Sequence, residues 1–215
     1  MELYQFVHNL KRGSSECQYK IPIVDVKNHT RGYLTPITEK TLDENQVILK
    51  FTQWRRENNH CFQTRFDPTP ERTKNWLKNV ILPNDTVILF LVYDDDELVG
   101  HYGFKDIMEG IASADNLLIG EMKARGPFSL LTMKTMLKWG FEKLNLMEIT
   151  GTVLRSNQAA LLINQRLHFR EVMSIPLITK ISGIGEISLV EMPSAKRYDD
   201  MNVYIRLKKE DFQFF

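Results

Sequence analysis

Cysteine is almost absent: two residues, Cys17 and Cys61, in a chain of 215. They stand far apart and without metal-ligand spacing, which leaves neither a disulfide scaffold nor a cysteine-based metal site. Both are expected as free thiols in a reducing compartment, and no metal is expected. Long apolar runs are missing too, and none approaches the roughly 20 residues that a membrane-spanning helix needs. The opening MELYQFVHNLKRGSSE does not place basic residues ahead of an apolar stretch, as a signal peptide does, so a cytoplasmic protein is expected. Excess charge of either sign is lacking: 28 Lys and Arg oppose 27 Asp and Glu, for a net charge of +1. No global field therefore gathers nucleic acid or an anionic membrane, and any partner is read by a local site. Internal repeats and low-complexity segments are also absent. What is present, 43% hydrophobic and 26% charged residues, is the composition of an ordinary globular protein with one substantial core.

Residues 1–20 show no clean period and break at Gly13-Ser14-Ser15, which reads as a hairpin or an arm. Tyr19 to Val26 has strand composition, with Pro22 pointing to a sheet edge. Arg31 to Pro36 reads as a second short strand. Thr38 is a fair N-cap for a helix carrying Val47, Phe51 and Trp54 at i, i+4 and i+7. That helix ends in Trp54-Arg55-Arg56-Glu57-Asn58-Asn59, either a solvated helix end or, through Arg55, a substrate contact. Thr69-Pro70-Glu71 gives a cap, a proline at the first helical position and an acid in the first turn of the next helix. Val87 to Tyr93 is a continuous apolar run, consistent with a strand covered on both faces. Asp94-Asp95-Asp96-Glu97 reads as a hairpin turn, because acids at successive positions in a tight turn do not converge on one ion. The returning strand, Glu97 to Phe104, carries His101 between two glycines, as a packed strand histidine or as a base or substrate contact.

Asp115 to Leu144 organises the rest. Leu117 to Ile119 leads into a basic, glycine-containing turn, and Leu130, Met133, Leu137, Phe141 and Leu144 then follow helical period. Lys123 and Arg125 stand just before a helix start, whose unpaired N–H groups favour a phosphate; the alternative is an ordinary strand-turn-helix junction. Met147 to Leu154 is another strand, Asn157 caps a helix through Leu167, and Ile175 to Ile181 and Val203 to Leu207 are the last strands expected. The order predicts an α/β (α+β) fold with helices on both faces of one sheet.

That order, with three stretches in it, resembles the GCN5-related N-acetyltransferase (GNAT) superfamily. The stretches are Arg125-Gly126 opening the long helix, Ser156-Asn157-Gln158-Ala159-Ala160 through Leu167-His168-Phe169, and Trp54-Arg55-Arg56 with Phe62, Thr69, Glu71, Trp76 and Leu77. The last is similar to members acting on nucleotide-linked amino sugars or on ribosomal protein N-termini. The resemblance implies a single GNAT-like domain over residues 31–215 with a mixed, mostly antiparallel central sheet, and residues 1–30 as an N-terminal arm or additional strands. It implies transfer of an acetyl group from acetyl-coenzyme A to a primary amine, with a nucleotide-linked amino sugar of surface polysaccharide synthesis as the favoured acceptor. A protein N-terminus, or a coenzyme-binding protein without catalysis, is the alternative.

The residues implied follow the same resemblance. Coenzyme would lie in a gap between the strand ending at Ile119-Gly120 and the strand 148–154, its carbonyl bonded by backbone N–H near Leu118, Ile119 and Gly120. Its pyrophosphate would rest on Lys123, Arg125, Gly126, Pro127, Phe128 and Ser129, with Asn157 and Asn164 at the border. The turn departs from the family pattern: Phe128 and Leu130 replace glycines, and Pro127 removes a backbone donor. Asn164 stands where many members have a tyrosine that protonates the leaving thiolate, and an amide is no general acid near neutral pH. Glu121 is the first choice of base, or else a partner for Lys123 or Arg125. His101 is the second choice of base and the first choice of substrate contact, with Asp115 and Arg55 as further substrate contacts. Phe212-Gln213-Phe214-Phe215 packs on its own core or on a second copy, as in a homodimer.

Overall fold

The computed structural model describes residues 3–13, 19–183 and 185–213. The break expected at Ser14-Ser15, the thiol of Cys17, and Phe214 and Phe215 lie outside them. The chain opens with a helix, α1 (Leu3–Arg12), in place of the expected hairpin or arm. Leu3, Phe6, Val7 and Leu10 form a stripe at helical spacing that packs on the core. Lys11, 3% exposed, ends α1 with Nζ donated to the carbonyls of Ile81 and Asn84 at 3.3 and 2.6 Å.

β1 (Ile21–Val24) is a sheet edge, as Pro22 requires, and pairs antiparallel with β2 (Thr30–Pro36). After a 3-10 turn at Glu39–Asp43, α2 (Asn45–Glu57) buries Val47, Ile48, Phe51 and Trp54. A two-residue strand, β3 (Thr64–Arg65), precedes α3 (Pro70–Trp76). Thr69 caps α3, its Oγ1 accepting from the N–H of Arg72 at 3.2 Å. The hairpin of β4 (Ile88–Asp94) and β5 (Glu97–Met108) turns at Asp95, whose φ is +51°. There follow β6 (Ile111–Ile119), α4 (Pro127–Lys143), β7 (Glu148–Leu154), α5 (Gln158–Arg166), β8 (Arg170–Ile181), β9 (Ile187–Glu191) and β10 (Asp200–Lys208). The sequence left β3 and β9 undetected: one is two residues long, and the other sits in what reads as a glycine loop.

Among the described residues the strands form one ten-stranded sheet in the order β1-β2-β4-β5-β6-β7-β10-β8-β9-β3. It is the mixed, mostly antiparallel sheet the sequence implied, with β6 and β7 as its parallel pair. Helices cover both faces. Residues of α1, α4 and α5 pack with Phe90, Phe104 and Val203 on one side. Residues of α2, with Leu77 and Ile81, pack with Leu89 and Leu91 on the other. Phe212 joins the chain's own core, its ring 5.2 Å from that of Phe141.

One local event shapes the centre of the sheet. Gly103 pairs with Asp115 but His101 pairs with Leu118, so β6 carries one residue more than β5 across this interval. Asn116, at φ +53°, is in the left-handed region at that bulge. A bulge bends its strand. Accordingly β6 stays paired with β7 only over Ile111–Ser113 and Glu148–Thr150, and then leaves it.

Candidate functional site

Where β6 and β7 part, they enclose a cleft of about 340 Å³. Ala114 to Leu117 form one wall and Gly151 to Leu154 the other, with Met133 of α4 and Ala160 and Asn164 of α5 closing a side. Strand alternation decides which backbone groups face it. The carbonyl of Leu118 lies against Gly100 of β5, and the N–H of Gly120 donates to Val99 O at 2.9 Å. Leu118 and Gly120 are thus turned to β5, while the backbone groups of Leu117 and Ile119 are turned to the gap. Of the three donors expected, Ile119 keeps that orientation and Gly120 is committed elsewhere. Three buried side-chain atoms of residues bordering the cleft have no partner among the described residues: the hydroxyl of Tyr102, Oδ1 of Asn202 and Nε of Arg55. Nε only donates, Oδ1 only accepts, and the hydroxyl can do either.

The basic turn lies at the end of β6. Gly126, with φ +83° and ψ −119°, makes a backbone turn that an L side chain rarely adopts, and Pro127 opens α4. The first bond of α4 runs from Leu130 N–H to Gly126 O, which leaves the N–H groups of Phe128 and Ser129 unpaired within the helix. Both cations of the turn already have partners within the chain. Arg125 folds back on the carbonyls of Ile119 and Gly120 at 3.2 and 3.3 Å, and Lys123 is paired with Glu97. Phe128 is buried in the core, and Ser129 Oγ donates to Ala124 O at 3.4 Å. Lys123 is thus tied to the start of β5 and Arg125 to the end of β6, beside the unpaired N–H groups of the helix start.

A second cavity, of about 370 Å³, lies on the α2 face and is lined by Phe51, Phe62, Phe66, Trp76, Arg72 and His101, with no acidic residue in its wall among the described residues. Arg55, Phe62 and Asn116 border both cavities, so the two are contiguous. The Arg55 guanidinium stacks on Phe62 at 3.5 Å and donates from Nη2 to Thr64 O at 2.6 Å, while its buried Nε has no partner. Burial lowers its pKa to about 10, so it remains a cation at neutral pH. Arg72 lies 4.2 Å from the centre of the Phe66 ring and is paired with Glu186. His101 is 5% exposed, stacked at 4.4 Å on Phe51, with Nδ1 2.7 Å from the Asn116 carbonyl. A carbonyl only accepts, so Nδ1 carries the proton and Nε2 is left as the acceptor. Burial depresses this imidazole to about 4.

The remaining expected residues separate into two groups. Asp115, Asn157 and Asn164 border the cleft. Asp115 is paired with Lys105 at 3.2 Å and accepts from Asn116 Nδ2 at 2.5 Å. Asn157 Oδ1 caps α5 through the Ala160 N–H at 3.2 Å, and Asn164 Nδ2 donates to Ala160 O at 2.8 Å. Glu121 stands apart, its carboxylate accepting from Lys50 Nζ at 2.9 Å and from Trp54 Nε1 at 3.3 Å. The hydrogen bond from Lys50 is the chief reason its carboxyl sits below the usual range. Its ion-pair partner is thus Lys50, where the sequence suggested Lys123 or Arg125.

Sequence reasoning passed over Tyr102, Asn116, Phe66 and Asn202. His101 and Tyr102 are neighbours on a strand and so point to opposite faces, and singling out the histidine selected only one of the two cavities. Asp115-Asn116 held the available signal for the bulge, because asparagine enters the left-handed region more readily than most residues.

No family model matches this chain, and none of the curated proteins matches it in sequence. Solved structures do match in fold. A spermidine N-acetyltransferase from Vibrio cholerae, in complex with CoA and spermine, superposes with a TM-score of 0.62 at 15% identity, over 84% of this chain and 97% of the other. RimL, a ribosomal L7/L12 alpha-N-protein acetyltransferase in complex with coenzyme A, gives 0.61 at 16% identity, over 88% and 98%. The Campylobacter jejuni N-acetyltransferase PseH, in complex with acetyl coenzyme A, gives 0.52 at 19% identity, over 82% and 97%. The architecture is the one these N-acetyltransferases share.

Proposed function

We propose that this chain is an acetyl-coenzyme A-dependent N-acetyltransferase, and that its acceptor is a primary amine on an anionic small molecule, a nucleotide-linked amino sugar in the first instance. The observation that carries the reading is the bulge-driven parting of β6 and β7, which opens directly into an aromatic pocket without acids. The residues present suit the coenzyme. A pantetheine arm is a chain of amides, and the cleft offers it the backbone of Leu117, with the N–H of Ile119 beyond it, together with the unpartnered Asn202 Oδ1. The Gly126 turn and the N–H groups of Phe128 and Ser129 would receive the pyrophosphate. When bound, the coenzyme supplies an activated acetyl group.

The chain's own residues would do the rest. Asn116, common to both cavities, marks where amine and thioester meet. Holding the two there supplies the proximity that acyl transfer needs, and the Ile119 N–H is the donor aimed at the developing oxyanion. Asp115 is the carboxylate in the cleft wall and would take the amine proton, directly or through water. Glu121 does not border the cleft and is held by Lys50 and Trp54, so it is the less well placed carboxylate. His101 stays neutral at pH 7 and orients the acceptor through Nε2. Arg55 has no carboxylate partner among the described residues, and its unpaired Nε suits a phosphate or carboxylate of the acceptor. The surrounding rings suit a nucleobase. Two arginines in an acid-free wall make a polyamine the poorer fit.

A coenzyme-binding protein without turnover is the second reading, favoured by the commitment of Lys123 and Arg125 to partners in the chain. Coenzyme release measured with a nucleotide-linked amino sugar, with spermidine and with a ribosomal protein N-terminal peptide separates these. Turnover is expected with the first. Arg55→Met is expected to raise its KM by about ten- to a hundredfold, the effect of losing a charged hydrogen bond, with a smaller change in kcat. Preference for spermidine would overturn the acceptor assignment, and binding of coenzyme without turnover on any amine would leave the second reading.

A further inference from the structure

We propose that the hydroxyl of Tyr102 is the hydrogen-bond donor that this cleft directs at the sulfur of the coenzyme thioester, and at the thiolate that forms as the thioester breaks. The inference rests on the coenzyme reading of the cleft. Tyr102 is 1% exposed, and its hydroxyl is buried in the cleft wall with no partner among the described residues. Leaving such a group unpaired is costly, so its persistence points to a ligand atom that completes it.

Its place on the strand identifies that atom. The residues flanking Tyr102 pair with Leu118 and Asp115, so Tyr102 lies opposite the extra residue of the bulge, where Asn116 joins the two cavities. Adjacent residues of β5 then divide the work. His101 faces the α2 side and the acceptor pocket, while Tyr102 packs with the α4 face, where the cleft is lined by Met133 and Asn164. Asn164 spends its Nδ2 on Ala160 O. Burial, with the charge of Asp115, pushes the Tyr102 phenol well above its ordinary range, so it stays an O–H throughout the working pH range and donates without giving up its proton.

The step balances without it as an acid. The amine nitrogen attacks the carbonyl carbon, the N–C bond forms, the C–S bond breaks and sulfur takes the electron pair. Nitrogen loses one proton and sulfur gains one, giving an amide and a thiol. Tyr102 lowers the cost of negative charge on sulfur during that exchange.

Coenzyme A and its desulfo analogue test this on the full chain and on Tyr102→Phe. Wild-type affinity for coenzyme A is expected to rise about ten- to a hundredfold as pH climbs through the thiol range near 8.5, while affinity for the desulfo analogue stays flat. Tyr102→Phe should abolish the rise, hold desulfo affinity within about twofold, and raise the midpoint of the ligand-free protein by about 2 to 4 °C, because it deletes an unpaired buried hydroxyl. An unchanged rise in Tyr102→Phe, or a lower ligand-free midpoint, overturns the role of Tyr102 and leaves the coenzyme reading standing. Failure of the wild type to bind either ligand overturns both.

Discussion

His101 is charged more readily in the unfolded chain than in the folded one. Free imidazole takes its proton near 6.5, whereas burial holds His101 to about 4. Between those values the unfolded state binds more protons, so this contribution to stability is complete above pH 6.5 and is lost as pH falls toward 4. The loss attributable to His101 should reach about 2 kcal/mol by pH 5. Urea unfolding at pH 7.5 and pH 5 checks it: His101→Gln should lose less stability on acidification than wild type, by that amount. Gly120 poses a different residue-scale constraint, since a Cβ there would sit 2.1 Å from Cδ1 of Trp54. Gly120→Ala should destabilise by roughly 1–3 kcal/mol or more and alter Trp54 fluorescence, both read in one denaturation series. Residue chemistry was legible in the sequence only in part. Arg55 and His101 were visible as candidates, but the unpaired Nε of Arg55 and the burial of His101 depend on Phe62, Phe51 and Asn116, which arrive from distant segments.

Elements with strong end signals were the legible ones. Thr69-Pro70-Glu71 and Asn157 announced α3 and α5, and both caps form as hydrogen bonds. Because α5 is short and walls the cleft, its cap carries weight: Asn157→Ala should cost about 1 kcal/mol in unfolding experiments and weaken coenzyme binding alongside. The helix at Leu3–Arg12 was missed although Leu3, Phe6, Val7 and Leu10 fit helical period, because the nearby Gly13 break suggested a turn. The strand at Ile187–Glu191 was hidden by its position after Gly183 and Gly185, and it forms by pairing with Ile181 to Leu177 of β8 on one side and with β3 on the other. Pairing of this kind is a tertiary fact with no local period to reveal it.

At the scale of the molecule, the order of helices and strands was sufficient to indicate the sheet and its two helical faces. The position of the cleft was legible from the resemblance, while its cause was not. That cause is one additional residue in β6, which a sequence reading cannot register without knowing that β5 and β6 pair. The same parting brings the aromatic pocket and the cleft to a shared border at Asn116, and so one local insertion sets where the two cavities meet.

The place of β10 in the sheet has a consequence in time. β10 lies between β7 and β8, and β8 and β9, with the two-residue β3 beyond them, are joined to the β1–β7 part of the sheet through it. On the ribosome, residues 170–191 would leave the exit tunnel before the strand that seats them, and β7 would meanwhile hold to β6 by three residue pairs alone. Strand edges and apolar surface would remain open during that interval, a period of aggregation risk. The half of the sheet that walls the cleft is completed only when residues 200–208 have been synthesised and inserted, which makes the closing of this fold a late event in the life of the nascent chain.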